Sequence, residues 1–478
     1  MEAVICKELS FTYPNREQKA LQDISFTVNR GEICLVMGAS AAGKSTLLQL
    51  MKREIAPAGT QHGSLTLAGT VGYVPQYAEE FIVCDKVRSE LSFGLTSQGL
   101  SADEIDLLTA ETASYFHLEE KLGADIATLS GGEKQLVNLA AVMMLKPEIL
   151  VLDEPCAQLD PVSSERFINA VLRLRRDFGT TVVICEHNTE LFFDETDKIL
   201  LLDAGRQVIF DSKNTVVEYL KVARHPMRGA IPLRCRLNAS SLTVKPTVNN
   251  EEMKAATLTA KHLWLAYDKG TDILQDCSFE AYQGKINAVI GANGSGKTTL
   301  LKALAGVRKP YRGKIKANGK IAMLAQNVHD LFTKDICGEE VTFGKITDEL
   351  GISDVAECHP YDISGGQAQR LALAKVLEQG ADILLLDEPT QGFDCVLKEK
   401  LAALLYDLCR QGKTVVIVSH DIEFVGAVAD DVSFLSRGRV MSTAPRREFF
   451  AALHFYTTAL SRVTKGAAVS LKDIENGD

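Results

Sequence analysis

One ordered series of short motifs occurs twice along this chain, and the duplication limits its fold more than any other feature. Tyr13 recurs as Tyr267, Gly38 as Gly291, Gln76 as Gln326, Ser130 as Ser364, Asp153 as Asp387 and His187 as His420. The offsets change in one main step, from 267 − 13 = 254 and 326 − 76 = 250 to 364 − 130 = 234 and 420 − 187 = 233. A single deletion explains it: Gln76 to Ser130 spans 130 − 76 = 54 positions, and Gln326 to Ser364 only 364 − 326 = 38. In each half apolar runs alternate with helical patterns, as where GEICLVMG precedes KSTLLQLM and EILVLDEP precedes SERFINAVLRLRR. That alternation predicts parallel strands joined by crossover helices. At 478 residues the chain is also too long for one ordinary core. Two α/β domains are expected, over residues 1–224 and 255–478, with a linker over 225–254 that contains prolines and several Asn, Ser and Thr residues without a clear period. The basic flank of that linker, Lys221, Arg224, Arg228, Arg234 and Arg236, reads as a solvated connector.

Composition narrows the partners. A formal net charge of −10 opposes general attraction to polyphosphates, so no nucleic-acid partner is expected. The 11 cysteines are scattered without a C-x-x-C pair, which argues against a zinc knuckle or an iron–sulfur cradle and fits a reducing compartment. The first residues do not read as a secretion signal, and no apolar run reaches the length of a membrane span.

The motifs themselves carry the chemistry. GASAAGKST (Gly38 to Thr46) and GANGSGKTT (Gly291 to Thr299) each follow a strand and open a helix, the context that makes G-x-x-x-x-G-K-[ST] a phosphate-binding loop. Gly38, Gly43, Gly291 and Gly296 shape the loops, and backbone N–H groups there, with those of Thr46 and Thr299, surround phosphate oxygens. Lys44 and Lys297 reach the terminal phosphates, and Ser45 and Thr298 ligate Mg²⁺. Ala41 stands where the second copy has Gly294, so any positive φ there costs the first loop more. The apolar strands EILVLDEP and DILLLDEP end in Asp153-Glu154 and Asp387-Glu388. Each aspartate is expected to hold Mg²⁺ and each adjacent glutamate to act as general base on water; helix capping is the plainer alternative for either pair. LSGGEKQ and ISGGQAQ place Ser130, Gly131, Gly132 and Ser364, Gly365, Gly366 at helix N-termini suited to an anion.

Ser-Gly-Gly before an acidic strand end resembles the ATP-binding-cassette superfamily, along nearly the whole chain. The resemblance implies two tandem cassettes, each a phosphate-loop α/β core with an antiparallel β part and a helical insert. It implies ATP and Mg²⁺ as ligands, and a head-to-tail intramolecular pair in which each nucleotide lies between one phosphate loop and the other signature. One composite site then joins Tyr13, Lys44, Ser45, Gln76, Asp153, Glu154 and His187 with Ser364, Gly365 and Gly366. The other joins Tyr267, Lys297, Thr298, Gln326, Asp387, Glu388 and His420 with Ser130, Gly131 and Gly132. On the same basis Tyr13 and Tyr267 stack on adenine, His187 and His420 contact the γ-phosphate, Gln76 and Gln326 sense Mg²⁺ and couple to a membrane partner, and Asp160 and Asp394 communicate across the pair. Neither copy lacks the base glutamate or the signature glycines, so two competent sites are expected.

PTQGFD, VSHDIEFV and a tail reading PRREFF and HFYTTALSR are similar to the fused ATPase of energy-coupling-factor vitamin and metal importers. That likeness implies a peripheral place on the cytoplasmic membrane face, with a transmembrane coupling protein and a small membrane substrate-binding protein as partners. The alternative is a translation or ribosome-associated ATPase of the F subfamily, against which stand PCAQLD and PTQGFD in place of P-T-N-H-L-D and the missing long charged linker.

Overall fold

The computed structural model describes residues 1–14, 16–237, 243–245, 256–267 and 270–475. The chain divides into two compact units, Met1–Arg236 and Leu237–Asp478.

The first unit has nine strands in chain order: β1 (Glu2–Thr12), β2 (Leu21–Asn29), β3 (Ile33–Gly38), β4 (Thr60–Leu67), β5 (Val71–Val74), β6 (Ile149–Asp153), β7 (Thr181–Cys185), β8 (Lys198–Asp203) and β9 (Arg206–Ser212). They hydrogen-bond in the order β4-β1-β2-β9-β8-β3-β7-β6-β5. Pairs among β8, β3, β7, β6 and β5 are parallel, whereas β1 pairs antiparallel with β2 and β4. Every residue of ICLVMG in β3, ILVLD in β6 and TVVIC in β7 is buried, as expected for parallel strands covered on both faces. β2 instead alternates, as expected for a strand that covers one side of the core only, and its pairing with β1 shifts register at bulges.

The second unit repeats the plan with β10 (Ala256–Ala266), β11 (Asp272–Tyr282), β12 (Ile286–Ile290), β13 (Arg312–Ala317), β14 (Ile321–Leu324), β15 (Ile383–Asp387), β16 (Thr414–Val418), β17 (Asp431–Ser436) and β18 (Arg439–Pro445). Here the antiparallel part β11-β10-β13 and the largely parallel part β14-β15-β16-β12-β17-β18 are separate sheets. In the first unit a single bridge, Gln22 to Arg206, joins the two parts into one.

The halves differ most where the sequence spacing differs. The first unit carries the helices Val87–Thr96 and Ala102–Phe116 between its glutamine and signature, the latter 15 residues long and opened by a Ser101–Glu104 capping box. The second carries only Cys337–Glu340 and Lys345–Glu349. The deficit of 54 − 38 = 16 positions is thus about one helix.

Residues 226–236, inside the stretch read as linker, fold onto the first unit. Met227, Ile231 and Leu233 are buried, and the Thr189 hydroxyl donates to the Ala230 carbonyl at 2.7 Å. Arg234, read as part of a solvated connector, is paired with Glu190 and with Asp194. Apolar burial explains the difference: four of these eleven residues are apolar and buried, enough to tie the segment down. Residues 238–242 and 246–254 of that stretch lie outside the described residues. At the far end of the second unit, Phe449 and Phe450 are buried beside Val425, Val432 and Val469, so the PRREFF tail belongs to a core.

Candidate functional site

Both phosphate loops join the end of a buried strand to a helix, Lys44–Leu50 in the first unit and Lys297–Leu304 in the second. Gly43 and Gly296 precede those helices with φ of 90° and 103°, a region that side chains rarely adopt. A Cβ on Gly43 would also lie 2.6 Å from the Ala20 carbonyl oxygen. Ala41 takes φ 64° where Gly294 takes 75°, so the alanine does occupy the costly conformation. The ammonium of Lys44 donates to the carbonyls of Gly38 and Ala39, both at 2.9 Å, and Lys297 donates to Gly291 at 2.8 Å and Ala292 at 3.0 Å. Each lysine is buried and folded over its own loop, a fixed positive charge where phosphates would lie.

The acidic pairs close on these loops. Ser45 Oγ donates to Asp153 Oδ1 at 3.1 Å, and the Tyr73 hydroxyl donates to Oδ2 at 3.0 Å. Burial, then the charge of Glu154, pushes Asp153 up to about 6 against those two hydrogen bonds. In the second unit Met323 stands in place of Tyr73, and both Asp387 carboxylate oxygens are buried without a hydrogen-bond partner among the described residues. Burial and the Glu388 charge push Asp387 up to about 7, with the nearby Thr298 hydroxyl and Lys297 pulling the other way. A buried carboxylate lacking donors, beside a hydroxyl, is an all-oxygen set that fits a hard divalent cation such as Mg²⁺.

Glu154 and Glu388 sit at φ 46° and 49°, left-handed conformations that cost on the order of 1–3 kcal/mol each and cluster at functional sites. Neither caps a helix; that role falls to Asp160 and Asp394. Asp160 accepts from the N–H groups of Val162 and Ser163, and Asp394 from that of Leu397, each cap contributing about 1 kcal/mol. His187 Nε2 lies 2.9 Å from Glu154 Oε1, and Gln76 Nε2 donates to Glu154 Oε2 at 3.2 Å. In the second unit His420 offers Nδ1 instead, 2.9 Å from Glu388 Oε1. Burial works against a charged His420, but the Glu388 carboxylate outweighs it and raises the ring. Burial likewise opposes ionised Glu388, and the His420 charge and hydrogen bond lower it nonetheless.

Not every expected residue joins its group. Gln326 is exposed and has no hydrogen bond to Glu388 among the described residues, unlike Gln76. Tyr13 and Tyr267 lie beside their loops, the hydroxyls 3.0 Å from Thr46 Oγ1 and 3.4 Å from Thr299 Oγ1. The Arg308 guanidinium stands 5.2 Å from the Tyr267 ring centre. Ser130 and Ser364 cap the signature helices Gly131–Met144 and Gly365–Glu378 in reciprocal boxes with Glu133 and Gln367. A Cβ on Gly132 would come 2.7 Å from Ser163 Oγ, which excludes a larger residue there without a shift.

Besides Tyr73, four contributors escaped the sequence reading. Gln135 donates to the Pro75 carbonyl at 2.8 Å and Gln369 to that of Glu388 at 3.1 Å, tying one signature helix to the loop of Gln76 and the other to the acidic strand end. Glu186 and Ser419 directly precede the two histidines. The last glutamine of LSGGEKQ and ISGGQAQ, and the contrast of CEHN with VSHD, were the available signals.

The chain matches the ABC transporter family over residues 21–157 and 274–391. It is 35% identical to a protein of Bacillus anthracis named as an ABC transporter ATP-binding protein, over 95% of this chain and 94% of that one. It is 29% identical to a Bacillus subtilis protein named for HMP/thiamine import, YkoD, over 91% of this chain and 90% of that one. Among solved structures, the archaeal ribosome recycling factor aABCE1 superposes with a TM-score of 0.66 at 22% identity, covering 93% of this chain and 91% of that one, a likeness of fold. With two phosphate loops, two acidic strand ends and two signatures in one α/β plan, the chain belongs to the ABC transporter ATP-binding family and is an ATPase.

Proposed function

We propose that this chain is the tandem ATPase of an energy-coupling-factor importer for a micronutrient, a vitamin or a transition-metal ion. The observation that carries the reading is end-to-end similarity to a relative named for HMP/thiamine import, combined with two complete catalytic sets in one chain. No helix among the described residues is long and apolar enough to cross a membrane, so on this reading the translocation path belongs to partner proteins on which the chain docks.

In this proposal each phosphate loop works with the signature of the other cassette, and ATP draws the two together. Lys44 and Lys297 neutralise the terminal phosphates, Tyr13 and Tyr267 meet adenine, and Glu154 and Glu388 take a proton from the attacking water. His187 and His420 hold the glutamates and contact the γ-phosphate. Ser45, Asp153 and Gln76, and Thr298, Asp387 and Gln326, would hold Mg²⁺, which when bound offsets charge developing between the β- and γ-phosphates. Hydrolysis and phosphate release then reopen the pair, and the difference in ATP affinity between the two states supplies the work.

Affinity capture of the tagged chain from membranes of its native host, in mild detergent, tests the assignment. Copurifying small multi-span membrane proteins are expected, and their identity narrows the cargo. Ribosomal proteins and RNA without membrane partners would move the function to translation.

A further inference from the structure

The residue before each histidine differs between the copies, and the difference reorganises the catalytic glutamate. In the second unit the Ser419 hydroxyl donates to Glu388 Oε2 at 2.9 Å, and the His420 N–H donates to the same oxygen at 3.2 Å. In the first unit the corresponding residue is Glu186, an acceptor. Its Oε2 takes the His187 N–H at 3.1 Å, and its Oε1 takes the Cys156 N–H at 2.7 Å. Glu186 thus occupies the backbone donor whose counterpart serves Glu388. Gln76 donates to Glu154 Oε2 instead, a contact that Gln326 does not make with Glu388 among the described residues.

We propose that Glu186 is a positioning residue that sets the first site apart: it diverts the His187 N–H from Glu154, so that this glutamate is oriented through Gln76, whereas Glu388 is oriented through Ser419. Glu186 also joins the histidine loop to the loop after the acidic pair through the Cys156 N–H, so both loops move with one buried carboxyl group. Movement of the glutamine loop therefore reaches the catalytic carboxylate directly in the first site and not in the second. The inference rests on the reading of Glu154 and Glu388 as the two bases.

Single-turnover hydrolysis of Mg·ATP by an excess of the full chain, with one site silenced at a time, tests it. In a Glu388→Gln background, Gln76→Ala is expected to lower the hydrolysis rate about ten-fold at saturating Mg·ATP. Combined with Glu186→Ser, which supplies the hydroxyl of the other copy, the same Gln76→Ala change is expected to cost at least about three-fold less, because only its part in orienting Glu154 is replaced. In a Glu154→Gln background, Ser419→Ala is expected to lower the hydrolysis rate about ten-fold. An equal cost of Gln76→Ala with and without Glu186→Ser overturns the proposal. The double variant Glu154→Gln, Glu388→Gln serves as control: undiminished hydrolysis there would remove the base assignment itself, a failure separate from that of Glu186.

Discussion

Tyr73 donates its hydroxyl to Asp153 at 3.0 Å, filling one oxygen of a carboxylate whose counterpart, Asp387, has none filled among the described residues. Removing that donor by Tyr73→Phe leaves a buried acceptor unsatisfied, at a cost of about 1–3 kcal/mol. The loss is expected in denaturant unfolding without nucleotide. Saturating Mg·ATP should recover part of it, because a cation then satisfies the same oxygen; equal losses with and without Mg·ATP would contradict this.

Ala41 offers a stabilising change. An alanine in the left-handed region costs about 1–2 kcal/mol relative to its preferred conformations. Glycine there loses roughly 0.5–1 kcal/mol through the greater freedom of its unfolded chain. Strain is the larger effect, so Ala41→Gly is expected to raise the stability of the first unit by up to about 1 kcal/mol. Gly294→Ala should lower that of the second, and calorimetry of both variants reads the pair of opposite shifts.

Glu186 makes stability depend on pH. Burial, opposed by the Cys156 N–H and reinforced by the charge of Glu154, pushes its carboxyl up from 4.5 to about 8. Between those values the folded chain keeps a proton that the unfolded chain has released, so stability falls as pH rises through the window. The contribution is on the order of a few kcal/mol. Glu186→Gln should remove this share of the slope while adding a constant loss of about 1 kcal/mol for one sacrificed backbone acceptor. Urea midpoints of both proteins from pH 5 to 8 are the check, and parallel pH dependences would refute it.

Asp473 holds the tail of the second unit. Its carboxylate meets Arg446 at 2.8 Å and Arg447 at 3.0 Å and accepts from the Val469 and Ser470 N–H groups. Asp473→Ala takes the carboxylate from two partly buried guanidinium groups, which keep neutral partners at Gly426, Ser470 and Lys245, and is expected to cost about 3 kcal/mol. Hydrogen exchange should show the loss concentrated around Arg446–Ala452 and Leu471–Asp473 rather than at the phosphate loop.

The plan of the two units was legible because its signals are local. Strands such as EILVLDEP are apolar throughout, and GASAAGKST sits between a strand and a helix by composition alone. The folded stretch 226–236 was not legible, since four buried apolar side chains without a period look like any Pro-containing connector until the surface they cover is known. Within each unit the phosphate loop and the acidic pair lie together and the histidine meets the glutamate, and Gln76 joins Glu154 where Gln326 makes no such bond among the described residues. What escaped was the wiring: Tyr73 and Met323, or Glu186 and Ser419, are ordinary strand and loop residues in sequence, and only proximity to a carboxylate gives them a role.

The central claim, two hydrolytic sites built on Glu154 and Glu388, is tested most directly by single-turnover hydrolysis in Glu154→Gln, Glu388→Gln and the double variant, with ATP binding measured alongside. Each single variant should keep part of the activity, and the double should lose about 10²–10⁴-fold while still binding ATP. Near-normal hydrolysis in the double variant, or complete loss from one single change with none from the other, would contradict it.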